Sequence, residues 1–286
     1  MEFEHNLESE LADLHKTIAG GTYFHGGYRH MIVNENKRRD IAVAGVRDRV
    51  VHRLLYDYLV PIYDKGFDYD VWSCRAGKGL TAAVDRTQQL LQKYPSASIW
   101  RGDVVKFFDH VDHDVLRVLL ERKIDDKQAL NLLNKVIDSY NTQRGIPIGN
   151  LTSQVFANIY LNQFDRFVRT QLKPLAYVRY GDDFLLFLPN RLMAELIRKQ
   201  ARQYLSTELG LSLHVRNDVI LQAHSGVNFL GVQIFANGRR LLPRMEEKIA
   251  SEISLKNFTG YSGLLRKHGS AKQQTRFLYL PDDFMV

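Results

Sequence analysis

Two adjacent acids in Tyr180-Gly181-Asp182-Asp183 are the residues of this sequence best placed to do chemistry. Apolar runs flank them, Ala176-Tyr177-Val178-Arg179 before and Phe184-Leu185-Leu186-Phe187-Leu188 after. The pattern predicts two strands meeting at Gly181-Asp182-Asp183, with buried arms and acids at the tip. Carboxylates in such a place repel each other and lose hydration, and a divalent cation offsets both penalties. Taken alone the pair also suits an ordinary turn, because Gly-Asp is good turn chemistry. A third acid changes that balance. Asp103 lies near the end of a run, Ala97 to Val105, that reads as a strand. If this strand lies beside the hairpin, three carboxylates converge, as two-metal phosphoryl transfer requires. Magnesium suits such a site because it needs few protein carboxylates and completes its octahedron with water and phosphate oxygens. Manganese is an alternative. Asp109, Asp112 and Asp114 read as caps and solvated acids of the following helix.

The elements that must position these acids alternate in type. Val46, Val50, Leu54, Leu55, Leu59 and Ile62 have the spacing of an amphipathic helix, which Pro61 should end or kink. Asp112 is placed to cap a helix with Val115, Leu116, Leu119 and Leu120 on its apolar face. Thr152 is placed to cap another, carrying Phe156, Ile159, Tyr160, Phe164 and Phe167 on one side. Leu192 to Leu209 reads as a helix stopped by Gly210, and Val227 to Leu242 as a hairpin around Asn237-Gly238. Pro243 opens a last helical stretch. Mixed helices and hairpins predict an α+β fold with an antiparallel sheet.

Lys and Arg number 39 against 32 Asp and Glu, so the chain of 286 residues carries a net charge of +7, which permits a polyanionic partner without requiring one. The single cysteine, Cys74, excludes a disulfide framework or a Cys-rich zinc site and fits a reducing cytoplasm. The start, Met1-Glu2-Phe3-Glu4-His5, lacks the basic and apolar pattern of a signal peptide. No run approaches the roughly 20 apolar residues of a membrane span. A cytoplasmic protein with no membrane partner is expected.

Five segments then resemble a known family. Arg39-Asp40-Ile41-Ala42-Val43-Ala44-Gly45-Val46-Arg47-Asp48-Arg49 resembles the fingers motif of bacterial and group II intron-type reverse transcriptases. Asp103-Val104-Val105-Lys106-Phe107-Phe108, Gly145 to Gln154, Tyr180 to Asp183 and Phe229-Leu230-Gly231 follow in the order of the palm motifs. The resemblance spans roughly residues 35–235. It implies a right-hand polymerase: fingers in 1–96, a palm in 97–235 with inserted fingers helices at about 115–145, and a primer-grip end with a short helical thumb in 236–286. It implies RNA-directed DNA synthesis from dNTPs on an RNA template with a DNA or RNA primer. The loop Ile148-Gly149-Asn150-Leu151-Thr152-Ser153-Gln154 departs from the Gln-Gly and Ser-Pro of most bacterial members. It looks like the loop of diversity-generating retroelement enzymes, which copy a template-repeat RNA with frequent errors opposite adenine.

The same resemblance assigns roles to residues. Asp103, Asp182 and Asp183 become catalytic, with Val104 joining them around the metals. Phe108 becomes the ring that excludes a 2′-hydroxyl, although either Phe107 or Phe108 must pack inside. Arg39 and Arg47 become triphosphate contacts, since forked permanent charge suits phosphate. Gln154 joins the nucleotide site. Gly149, Ser153, Tyr180, Phe229, Leu230 and Gly231 fall to template and primer. His214 and Arg216 stand where the family often places a lysine, and Arg216 is a poor proton donor. A small basic accessory protein and a structured retroelement RNA are implied partners. A defence-associated or orphan group II-like reverse transcriptase is the nearest rival, and a catalytically inactive RNA-binding module is the rival from another class. The stretch after Gly231 has room for a short thumb and none for a maturase region with an endonuclease.

Overall fold

The structure is a computed structural model that describes residues 6–34, 38–140, 143–252 and 258–278. Contacts divide the chain into two compact units. One comprises Met1–Tyr69, Val104–Leu172 and Gln200–His214, and the other Asp70–Asp103, Lys173–Lys199 and Val215–Val286. No helix among the described residues is long and apolar enough to cross a membrane.

The first unit begins with helix α1 (Leu7–Ala19) and a hairpin of β1 (Arg29–Asn34) and β2 (Arg38–Val43). Helix α2 (Val46–Tyr63) packs against α7 (Leu151–Phe167). Between them in sequence come the short α4 (Phe107–His110), α5 (His113–Glu121) and α6 (Lys127–Asp138). Asp112 caps α5 as its position predicts, accepting from the backbone N–H groups of Asp114 and Val115. Pro61 neither ends nor breaks α2. It sits in the last turn, so the one ladder bond forfeited by its missing N–H lies at the end of the helix.

The buried face of α2 differs from the expected one. Val46 and Leu54 are exposed, and the face turned inward is Asp48, Val51, His52, Leu55, Leu59 and Tyr63. Apolar spacing missed it because two of its residues are polar and satisfied internally. Asp48 accepts from Tyr23 Oη at 2.7 Å and from the Gly26 backbone N–H at 3.2 Å. His25 Nδ1 lies 2.6 Å from the Gly26 carbonyl and so carries the proton. His25 Nε2 then accepts from His52 Nε2 at 3.0 Å, and His52 Nδ1 accepts from the Thr152 hydroxyl at 2.6 Å. Thr152 is therefore not the cap. The α7 cap position is Asn150, whose amide instead donates to the Ala42 carbonyl at 2.7 Å.

The second unit is built on a four-stranded antiparallel sheet ordered β4-β5-β3-β6: β4 is Ala176–Tyr180, β5 Asp183–Leu188, β3 Ser98–Asp103 and β6 Val219–Gln222. Helix α3 (Leu80–Lys93) covers one face, burying Ala83, Val84, Leu90 and Leu91 with Ile99, Val178, Leu185 and Phe187. A meander of β7 (Val227–Phe229), β8 (Val232–Phe235) and β9 (Gly238–Leu241) adds Phe229, Val232 and Ile234 to that core. The expected single hairpin is thus three strands. Ala236-Asn237 makes the second turn, and Leu230-Gly231 makes an unforeseen first one, both residues at positive φ (53° and 81°). Helices α9 (Pro243–Glu252), α10 (Phe258–His268) and α11 (Ala271–Leu278) follow. Helix α8 (Arg191–Leu209) ends at Gly210 in the left-handed region (φ 62°), as predicted.

Candidate active site

The carboxylates sit where two strands end. β3 and β5 pair antiparallel with Asp103 opposite Asp183, and β4 pairs with β5 so that Tyr180 also faces Asp183. Gly181-Asp182 is the two-residue turn of that hairpin, and Gly181 takes φ 62° there. Asp183 therefore belongs to a strand and Asp182 to the turn. Alternation puts Asp103 and Asp183 on the face that carries Ile99, Leu185 and Phe187, at the end of the core. Behind them Gly102 has Phe184 as its partner, and a Cβ on Gly102 would lie 2.3 Å from Phe184 Cζ. Only glycine lets that ring, set edge-on to Trp100, close the opposite face.

Side chains from several segments hold this tip. Arg101 grips Asp183 with a fork, Nε to Oδ1 at 3.1 Å and Nη2 to Oδ2 at 2.7 Å. Asn217 donates to Asp103 Oδ2 at 2.6 Å. The Gly181 N–H donates to Ser73 Oγ at 2.8 Å, and fully buried Arg179 donates to the Gly181 carbonyl at 2.9 Å. None of these was read from the sequence. Arg101 alone carried a signal, being two residues before Asp103 and so on its face. Burial pushes the Asp183 carboxyl up to about 6, with Asp103 and Asp182 adding to the rise and Arg101 opposing it. A desolvated acid among like charges is an environment that a divalent cation would relieve. Among the described residues no group of three His, Cys, Asp or Glu side chains is gathered to hold a metal by itself. The donor set still fits magnesium, which takes one or two carboxylates and draws its other ligands from water and substrate phosphate.

The other expected residues lie as follows. Phe107 is buried and packs edge-on against Phe108 and Tyr160, leaving Phe108 half-exposed. Val104 is buried, and its backbone bridges to Leu213. Gly149 takes φ 102°, and a Cβ there would meet Ile41 Cγ2 at 2.6 Å, so the loop lies tight on β2. Ser153 is buried and Gln154 exposed in the first turn of α7. Arg39 is exposed on β2. Arg47 is bound to α1, donating to Glu10 at 3.0 Å and Asp13 at 2.5 Å. Phe229 is a core residue, and Gly231 lies against Met245. Arg239, on β9 of the meander, donates to Asp85 and Gln88.

An antiparallel sheet with paired acids at its hairpin tip, in a chain that also carries a largely helical unit, is the composition of a polymerase-type nucleotidyltransferase fold. Residues 30–234 match the family described as reverse transcriptase (RNA-dependent DNA polymerase), so this chain belongs to that family, whose enzymes are RNA-directed DNA polymerases that use divalent metals. It is 25% identical over 279 residues to protein YkfC of Escherichia coli (strain K12), spanning 82% of this chain and 73% of that protein. It is 26% identical over 179 residues to the group II intron-encoded protein LtrA of Lactococcus lactis subsp. cremoris, spanning 58% of this chain and 29% of LtrA. Among solved structures, telomerase from Candida albicans, in complex with a fragment of telomeric RNA, matches 89% of this chain and 52% of its own at a TM-score of 0.56. At 13% identity that likeness shows the fold. The expected α+β fold is thereby met.

Proposed function

We propose that this chain makes cDNA on an RNA template by two-metal nucleotidyl transfer, with Asp103 and Asp182 as the principal metal ligands. The observation that carries the reading is the rung that sets Asp103 opposite Asp183, one residue from the Asp182 turn. Bound magnesium or manganese would activate the primer 3′-hydroxyl and neutralise charge on the triphosphate. The chain's own residues do the rest. Asp103 and Asp182 set where positive charge is held, and Tyr180 closes the rung beside them. Arg39 offers an exposed guanidinium to the triphosphate. Phe108 excludes the 2′-hydroxyl, and Val104 offers its backbone near the metals. Gly149, Ser153 and Gln154 meet the templating pair, and the Phe229-Leu230-Gly231 turn meets the primer. In this reading 1–96 contribute fingers, 97–235 the palm with inserted helices, and 236–286 the primer-grip end and thumb.

Within the family, the Gly149 to Gln154 loop favours a diversity-generating retroelement enzyme. That enzyme would copy a template-repeat RNA in the cytoplasm with a small basic accessory protein. The match to the group II intron-encoded protein LtrA over 58% of the chain favours a group II-like enzyme instead. Sequencing cDNA made in vitro separates them. Errors concentrated opposite template adenines support the retroelement reading, and uniform accuracy at adenines rules it out.

A further inference from the structure

Arg101 is not among the residues that the family motifs single out, yet it grips a carboxylate of the site at two points. It lies two residues before Asp103 on the same face of β3, where its register partner is Leu185, so Asp183 is its diagonal neighbour. Long side chains reach across that diagonal. Both members of the pair are largely buried, with 17% and 15% of their side chains exposed. Both Asp183 oxygens receive a guanidinium N–H, in the planar geometry that lysine could not reproduce. The like charges of Asp103 and Asp183, set opposite each other, would otherwise push the strand ends apart.

We infer that Arg101 is a positioning residue that clamps Asp183 out of the metal ligand set, so that divalent cations are held by Asp103 and Asp182. The inference rests on the polymerase reading of the site and deepens it. Asp183 serves there as the anchor of the rung, and Arg101 limits how much negative charge the cations meet. Removing the fork releases Asp183 as an extra ligand. Cation affinity then rises, while the ligands no longer sit where the chemistry needs them.

The test is Mn2+ binding, read by magnetic resonance of the free ion, in the full chain without nucleic acid. Arg101→Gln should bind Mn2+ at least tenfold more tightly than the wild type, with dNTP incorporation reduced at least tenfold in kcat and KM less affected. The gain in affinity should shrink to a few-fold when Arg101→Gln is added to Asp183→Asn, because no ligand is left to release. That double variant also carries no unpaired buried charge, so it reports even if Arg101→Gln alone fails to fold. Its affinity relative to Asp183→Asn then decides. Equal gains in both backgrounds would mean a through-space charge effect only and would overturn the clamp. So would unchanged or weaker Mn2+ binding by folded Arg101→Gln, or a tenfold gain in the double variant over Asp183→Asn. The polymerase reading fails separately: a wild type that binds Mn2+ through Asp182 but incorporates no dNTP on any template loses that reading and keeps the clamp.

Discussion

Replacing Gly102 by alanine puts a methyl carbon 2.3 Å from Phe184 Cζ and 2.7 Å from its Cε2. Ordinary contact begins near 3.4 Å, so the ring must retreat by about 1 Å in a close-packed interior. Little allows it to do so. Phe184 is 1% exposed and sits edge-on to Trp100, itself fully buried. Overpacking of this kind costs roughly 1–3 kcal/mol. For a chain of this size each kcal/mol lowers the melting temperature by about 2–4 °C, so a fall of roughly 2–12 °C is expected. Activity should suffer more than stability, because Phe184 follows Asp183 directly and a displaced ring shifts the rung facing Asp103. The assay pairs a thermal melt with primer extension on RNA at a temperature where the variant is folded. A Gly102→Ala protein that melts within about 1 °C of the wild type and extends primers equally well would refute the packing argument.

Stability should depend on pH through His52, whose imidazole burial, with His25 adding, holds at about 4. The folded state disfavours the charged ring, so the stabilisation is full above the unfolded value of 6.5 and is lost as pH falls from there through about 4. The loss amounts to about 3 kcal/mol, at 1.36 kcal/mol per unit. Urea unfolding of His52→Gln between pH 7 and 4 should show a flatter profile, and an unaltered profile would remove His52 as the cause. Arg39→Ala should raise the KM for dNTP without changing the melting temperature. Arg47→Ala should instead loosen α1, at about 0.5–1 kcal/mol for a partly exposed pair, seen as faster amide exchange in Leu7–Ala19. A purely kinetic effect of Arg47→Ala would return Arg47 to the triphosphate.

The hairpin of acids was legible because its signals are local: apolar arms, a glycine, and two acids in a row. The same holds for the Asp112 cap and the Gly210 stop. What escaped depends on pairing between distant segments. The buried face of α2 includes Asp48 and His52, and only partners from Tyr23, Gly26, His25 and Thr152 make those polar residues acceptable inside. His214 and Arg216 stand out in the sequence near this point, whereas Asn217, whose amide donates to Asp103 Oδ2, carries no such signal. Its placement follows from β6 pairing with the far edge of β3. The Leu230-Gly231 turn was hidden because leucine rarely takes a positive φ.

Primer extension on an RNA template, comparing the wild type with Asp182→Asn at matched magnesium or manganese, tests the central claim most directly. Metal-dependent cDNA is expected from the wild type and none above background from the variant, with both proteins equally folded. Robust extension by Asp182→Asn would contradict the assignment of the site.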